Sequence, residues 1–298
     1  MLMINNGKWL DQKDGWLQAT YQNNSLSLTC HHGYRIKQED LSIITRTYTP
    51  EQVTEGLALI NVQFDSEVVE FCSHFHKITR LNIFNQVTYD FAVFLRLIPS
   101  ITHLKFFDVD VIPAALFCGL PRTRVTKLYL HKCRFTNDQV EAEWFSQLAH
   151  LDLVDVNDKL PINQILEYGN LVGLTVEAKR HHGEFVEALL KAKSVKNLFL
   201  LRTDYYGPSG WENIYHYFRE DCILESFTRL EPNENHQELM ESIKYHPRLK
   251  EVIVYSMTPE VDRRLLLNQS IRVRRTVELL GSDVLPMDIV RHVYGFIN

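Results

Sequence analysis

The feature that most constrains how this chain can fold is a seven-residue phrase that recurs six times between Ile78 and Leu201. Its copies are ITRLNIF from Ile78, ITHLKFF from Ile101, VTKLYLH from Val125, LAHLDLV from Leu148, LVGLTVE from Leu171 and VKNLFLL from Val195. The first and sixth positions are apolar throughout, and the fourth is always leucine: Leu81, Leu104, Leu128, Leu151, Leu174 and Leu198. Successive leucines lie 23, 24, 23, 23 and 24 residues apart. A fixed period of this size belongs to stacked supersecondary units, each completing its core against the next. Apolar residues alternating with polar ones make each phrase a strand with one face inward.

Every phrase but the last leads directly into a helix-like segment. TYDFAVFLRLI follows the first copy, VIPAALFCGL the second, NDQVEAEWF the third, LPINQILEYG the fourth and GEFVEALLKA the fifth. In GEFVEALLKA, Phe185, Leu189 and Ala192 share a helical face, with Glu184, Glu187 and Lys191 opposite. A strand, a turn and a helix within such a period resembles the leucine-rich repeat. That resemblance implies an α/β solenoid with a parallel sheet on the concave face and helices on the convex face. The family pattern also places Asn or Cys three positions after the third apolar residue, where it bonds the turning backbone. Those places hold Gln86, Val109, Cys133, Val156, Lys179 and Thr203, so only Cys133 conforms and no asparagine ladder is expected there.

Three regions follow from the limits of the period. Residues 1–47 stand outside it and form a β-rich amino-terminal cap, a meander with turns at Lys13-Asp14-Gly15 and Asn23-Asn24. A small separate binding domain is the other reading of the same residues. Residues 48–257 hold the array of about nine strand–helix units. Leu41–Tyr48 and Leu57–Phe64 are alternating, β-branched-rich runs expected to be strands, with a helix opening at Thr49-Pro50 between them. Ser66 opens a helix whose Val68, Val69, Cys72 and Phe75 share a face. Beyond Leu198 the period loosens, with strands expected near Leu224 to Leu230 and from Leu249. Residues 258–298 carry helical periodicity and an arginine-rich stretch, Arg263, Arg264, Arg272, Arg274 and Arg275.

The chain closes on Leu285, Pro286, Asp288, Ile289, Val293, Phe296 and Ile297, the pattern L-P-x-D-I-x-x-x-V-x-x-F-I. It resembles the opening helix of an F-box, by which substrate receptors dock on the adaptor of SCF-type (cullin–RING) ubiquitin ligases. A full F-box continues further. Shortened F-box-like ends after a repeat array are similar to those of poxvirus ankyrin-repeat proteins of the PRANC type. Pro286 is suited to a first helical turn, and Ile289, Val293 and Phe296 form one stripe for a partner's groove. The resemblance implies adaptor binding through Leu285, Pro286, Ile289, Val293, Phe296 and Ile297. The alternative is a helix that packs the same stripe on the last repeat as a cap.

The outward strand positions form columns down the array. Arg80, His103, Lys127 and His150 occupy one; Lys105, Tyr129, Asp152 and Phe199 another; Phe84 and Phe107 a third. Aromatic and basic residues dominate binding hot spots, so these ten residues are the candidate partner-binding face. Aromatics that merely cover the sheet, or a terminal segment, are the alternative.

Composition narrows the remaining classes. A net charge of −5 is not that of a nucleic-acid binder. Five scattered cysteines fit a reducing compartment, and with no secretory leader or membrane span legible the expected location is the cytoplasm. Cys30-His31-His32, Cys72-x-His74-x-His76 and His181-His182 lack the paired spacing of a zinc module, so no metal is expected. No phosphate loop, nucleophile elbow or H-E-x-x-H segment occurs, and neither an enzyme nor a cofactor is expected. The expectation is a monomeric protein-recognition module: a substrate receptor for an SCF-type ligase, possessed in one version by a pathogen as an effector, or else a scaffold or inhibitor without a ligase.

Overall fold

The structure, a computed structural model, describes residues 2–4, 16–31, 34–63, 65–85, 97–110, 123–135, 141–156, 160–168, 170–177, 194–201, 223–230 and 248–254. Leu95, Phe117, Leu120, Ala188, Leu189, Ala192 and His246 are described between them. Two compact units divide the chain, residues 1–170 and 171–298.

The first unit is a ladder of short strands: β1 (Leu2–Ile4), β2 (Trp16–Gln22), β3 (Ser25–His31), β4 (Gly56–Ile60), β5 (Arg80–Phe84), β6 (His103–Phe107), β7 (Lys127–His131) and β8 (His150–Val154). From β3 onward each strand pairs in parallel with the next. Leu57, Leu81, Leu104, Leu128 and Leu151 stand directly opposite one another along the ladder. All five are buried. The repeated leucine of the sequence is therefore the inward centre of each rung. Burying one such side chain contributes about 1.5–3 kcal/mol. Behind the rungs, Phe117 is buried against Phe106, Phe135 and Phe145, with ring centroids 6.1, 5.6 and 5.5 Å away.

Each rung is held by backbone bonds at both ends. At its start, one carbonyl accepts two N–H groups from the next repeat: Thr79 from Thr102 and His103, and Thr102 from Thr126 and Lys127. At its finish, the residue after the strand turns into the left-handed region. These are Asn61, Asn85, Asp108, Lys132 and Asp155, with φ of 55°, 74°, 55°, 51° and 52°. The N–H of Asn85 reaches the Phe107 carbonyl at 3.0 Å, Asp108 reaches His131 at 2.9 Å, and Lys132 reaches Val154 at 2.7 Å. Short polar Asn and Asp enter this conformation more readily than other L-residues. An Asn/Asp ladder thus exists, one position earlier than the family pattern places it. Cys133 fills the expected position and is buried, with Sγ 3.3 Å from the His131 carbonyl and 3.6 Å from that of Phe106.

The amino-terminal cap is β-rich but is not a meander. β2 and β3 form an antiparallel hairpin, whereas β1 joins β2 in parallel. Asn23 and Asn24, at φ 49° and 55°, make the hairpin turn, the geometry that matches strand twist. The turn expected at Lys13-Asp14-Gly15 lies outside the described residues.

Leu41–Tyr48 is not a strand. It belongs to helix α1 (Gln38–Thr47), where Leu41, Ile44 and Tyr48 are buried at helical spacing and Ile43 is 44% exposed. Asp40 fixes its start by accepting from the Lys37 N–H at 3.1 Å and the Tyr34 hydroxyl at 2.8 Å. Thr49-Pro50 accordingly opens only a turn, in which Gln52 and Val53 N–H both bond the Thr49 carbonyl. Helix α2 (Ser66–His74) matches expectation, with Val68, Val69, Cys72 and Phe75 buried; Asp65 caps it through the Val68 N–H at 3.1 Å. A 3-10 turn at Ala142–Phe145 and a short helix α3 (Ile162–Glu167) follow β7 and β8.

The second unit repeats the same physics with β9 (Gly173–Glu177), β10 (Asn197–Leu201), β11 (Ser226–Leu230) and β12 (Glu251–Val254), all parallel. Leu174, Leu198, Phe227 and Val252 align as its inward centre. Leu189 and Ala192 are buried as expected, while Phe185 lies outside the described residues. So does the whole carboxyl-terminal extension 258–298.

Candidate binding face

Alternation along β5 to β8 sends the first, third and fifth residues of each rung away from the leucine core, and the burial pattern records it strictly. Parallel pairing without offset then stacks equivalent positions into columns. Nine of the ten residues singled out in the sequence therefore lie on one face of the first unit. Arg80, His103, Lys127 and His150 form the first column; Lys105, Tyr129 and Asp152 the second; Phe84 and Phe107 the third. Phe199 belongs to β10 of the second unit, in register with Thr175 and Thr228.

Neighbouring columns interact. Phe84 and Phe107 stack with ring centroids 4.6 Å apart and planes 9° from parallel. His131 extends the row, 5.0 Å from Phe107 and tilted by 49°. The Lys105 Nζ sits 4.2 Å above the centre of the Tyr129 ring, a cation–π contact. Arg80 pairs with Glu55 at 3.1 Å. Thr102 Oγ1 lies 2.8 Å from His103 Nδ1.

The electrostatics are those of a cationic patch. Burial lowers the His103 pKa, and Lys127, Arg80, Lys105 and His150 lower it further. His150 is lowered by burial and Lys127 against the opposing Asp152. His131 is lowered mainly by burial, again with Asp152 opposing. Each of these shifts favours the neutral imidazole. Tyr129 is raised by burial and by Asp152, so its hydroxyl keeps its proton.

Sequence reasoning left His131 out of the candidate set, although its column position was legible; only the ring geometry makes it part of the aromatic row. Asn82, between Ala58 and Lys105 in register, was also left out, and its buried Oδ1 finds no hydrogen-bond partner among the described residues. Behind the sheet, a depression of about 350 Å³ between α1 and α2 is lined by Leu41, Ser42, Thr45, Glu67, Glu70 and Phe71 among others. Among the described residues no group of three or more His, Cys, Asp or Glu could hold a metal ion, and no helix is long and apolar enough to cross a membrane. The adaptor-binding candidates Leu285, Pro286, Ile289, Val293, Phe296 and Ile297 lie outside the described residues.

No family model matches the chain, and no curated protein does. Among solved structures it overlaps the crystal structure of an internalin (inlF) from Listeria monocytogenes at 12% identity and a TM-score of 0.40. That overlap takes in 72% of this chain and 66% of the internalin, just under two thirds of its length. From β4 to β8 the chain is a stack of parallel rungs, with one face closed by leucine and the other open.

Proposed function

We propose that this chain is a protein-recognition scaffold that performs no chemistry of its own and binds its target through the open sheet face of β5 to β8. The observation that carries this reading is the joined set of Phe84, Phe107 and His131 beside the Lys105–Tyr129 pair. Half-buried aromatic rings held rigidly next to cations supply contact area at little cost in side-chain entropy, which is the composition of an interface centre.

The finer part of the proposal is that the scaffold is a substrate receptor. The pattern Leu285-Pro286-x-Asp288-Ile289 through Phe296-Ile297 supports it, as a helix stripe suited to the adaptor of an SCF-type ubiquitin ligase. Catalysis then resides in the ligase, and the receptor contributes proximity. Such a protein works in the cytosol, of a host if it is an effector, and is a monomer outside that complex.

A pull-down from eukaryotic cell lysate separates the two levels. Full-length chain should recover adaptor and cullin, and a version ending at Gly281 should not. Recovery by neither version while both stay folded removes the ligase and leaves the recognition scaffold; recovery by both removes the carboxyl-terminal stripe as the adaptor contact. Substituting Phe84 and Phe107 by Asp should abolish target capture without altering adaptor recovery.

A further inference from the structure

On the reading of the sheet face as a recognition surface, one part of it differs chemically from its neighbours. The preceding rungs carry no cation and mostly small or polar side chains: Ser25, Ser27 and Thr29 on β3, then Gly56 and Ala58 on β4, with Ile60 in register with Phe84. β5 to β7 instead carry three cations, Arg80, Lys105 and Lys127, and three aromatic rings, Phe84, Phe107 and Tyr129. The positive charge begins abruptly, across a single strand pairing.

The charge runs against the chain's average. The full sequence has net charge −5, yet the outward positions of β4 to β8 hold three cations and one carboxylate, Asp152. Glu55 already engages Arg80, but Lys127 makes no ion pair among the described residues and Lys105 rests on a ring. The downward pKa shift of His103, partly caused by Lys127, Arg80 and Lys105, registers the same positive potential. Two lysines, Lys105 and Lys127, without a carboxylate partner among the described residues and beside apolar rings are complementary to a partner with carboxylates beside an apolar side chain.

Geometry limits the size of that partner. Neighbouring strands lie about 4.8 Å apart, so Arg80 to Lys127 spans about 10 Å, the length of some three extended residues. From the first to the fifth position of a rung is about 13 Å. The footprint is that of a short segment.

We propose that this patch binds an acidic polypeptide segment carrying an aromatic or large aliphatic anchor, its carboxylates on Lys105 and Lys127 and its anchor on the Phe84–Phe107 pair. Protein sites for single-stranded nucleic acid also combine stacking rings with positive charge. Asp152 within the patch, with Asp108 and Asp155 exposed at the ends of β6 and β8, would repel a continuous polyanion but not a segment with a few spaced carboxylates.

A random twelve-residue peptide library displayed on phage, panned on the full chain, tests this. Bound sequences should be enriched in Asp and Glu together with Phe, Trp, Tyr or Leu. A synthetic peptide from the pool should bind at least tenfold more weakly to Lys105→Glu/Lys127→Glu and to Phe107→Ala, with thermal unfolding of both variants unchanged from the parent. Raising salt from 50 to 500 mM should weaken it. Enrichment lost on these variants but showing no acidic preference overturns the partner class while leaving the face a recognition surface. Absence of any face-dependent enrichment overturns both. Tighter binding of a U12 oligonucleotide at the same residues, competing with the peptide, assigns the patch to nucleic acid and also overturns the proposal.

Discussion

Among the described residues of the left-handed ladder Lys132 is the one that is neither Asn nor Asp, and relieving it should stabilise the protein. Its φ is 51°, against 55°, 74°, 55° and 52° at Asn61, Asn85, Asp108 and Asp155. An ordinary L-residue in that region carries a steric cost of about 1–2 kcal/mol. Glycine removes the cost, but its freer unfolded chain takes back about 0.4–1 kcal/mol. Lys132→Gly should therefore gain about 0.5–1 kcal/mol, and Lys132→Asn should gain in the same direction by a smaller amount. The bond from the residue 132 N–H to the Val154 carbonyl, 2.7 Å, is a backbone bond and survives either change. Lys132→Val, β-branched, should lose stability because its side chain fits the left-handed region least well. Thermal melts followed by circular dichroism read the series; at this chain size about 1 kcal/mol corresponds to about 2–4 °C. The required order of stability is Gly, Asn, Lys, Val. A flat series, or Gly and Asn both below Lys, would refute the claim that the rung exit constrains its residue by backbone conformation.

Three further outcomes follow from the same structure. Leu128→Ala, at a fully buried rung centre, should cost about 2–5 kcal/mol in urea denaturation, whereas Lys127→Ala on the other side of the same strand should stay within about 0.5 kcal/mol. Burial pushes the Cys30 and Cys133 thiols up to about 11, so mass spectrometry should find them unalkylated by iodoacetamide at pH 8 in the folded chain and modified once urea is added. His246, buried and accepting the Leu249 N–H at Nδ1 over 3.0 Å, has a pKa lowered from 6.5 to about 4, first by burial. The unfolded chain takes up that proton near pH 6.5 and the folded chain only near pH 4. Stability contributed by neutral His246 is thus whole above pH 6.5, is lost progressively down to pH 4 and amounts to about 3 kcal/mol. His246→Gln should flatten that acid limb in chemical denaturation measured at successive pH values.

The rungs were legible because strand alternation and the recurring leucine are both one-dimensional signals. Period and phase together dictate which side chains share a face, so Arg80, Phe84, His103 and their column neighbours could be assigned before any coordinates. Contacts between columns were not legible: stacking of Phe84 on Phe107 depends on rotamers, which sequence does not encode locally. Leu41–Tyr48 misled because Ile43, Ile44, Thr45 and Thr47 favour strands and alternate in polarity. The decisive spacing was Leu41, Ile44 and Tyr48, helical once Asp40 caps the first turn. The Asn/Asp ladder was overlooked for a narrower reason. The family pattern points three places after the third apolar residue of the phrase, whereas Asn85, Asp108 and Asp155 stand two places after it, where the backbone first turns left-handed.

The double anchoring of each rung has a consequence for how this molecule can vary. A strand whose first residues share one neighbouring carbonyl, and whose exit is set by a left-handed residue, cannot gain or lose an amino acid without breaking bonds at one end or the other. The difference between 23- and 24-residue intervals must therefore be absorbed in the segments that join one rung to the next. Spelling and spacing are decoupled: letters on the open face can be exchanged freely while the lattice that holds them keeps its pitch. A chain built this way can change what it recognises by point substitution, and can lengthen its returns without disturbing what it recognises.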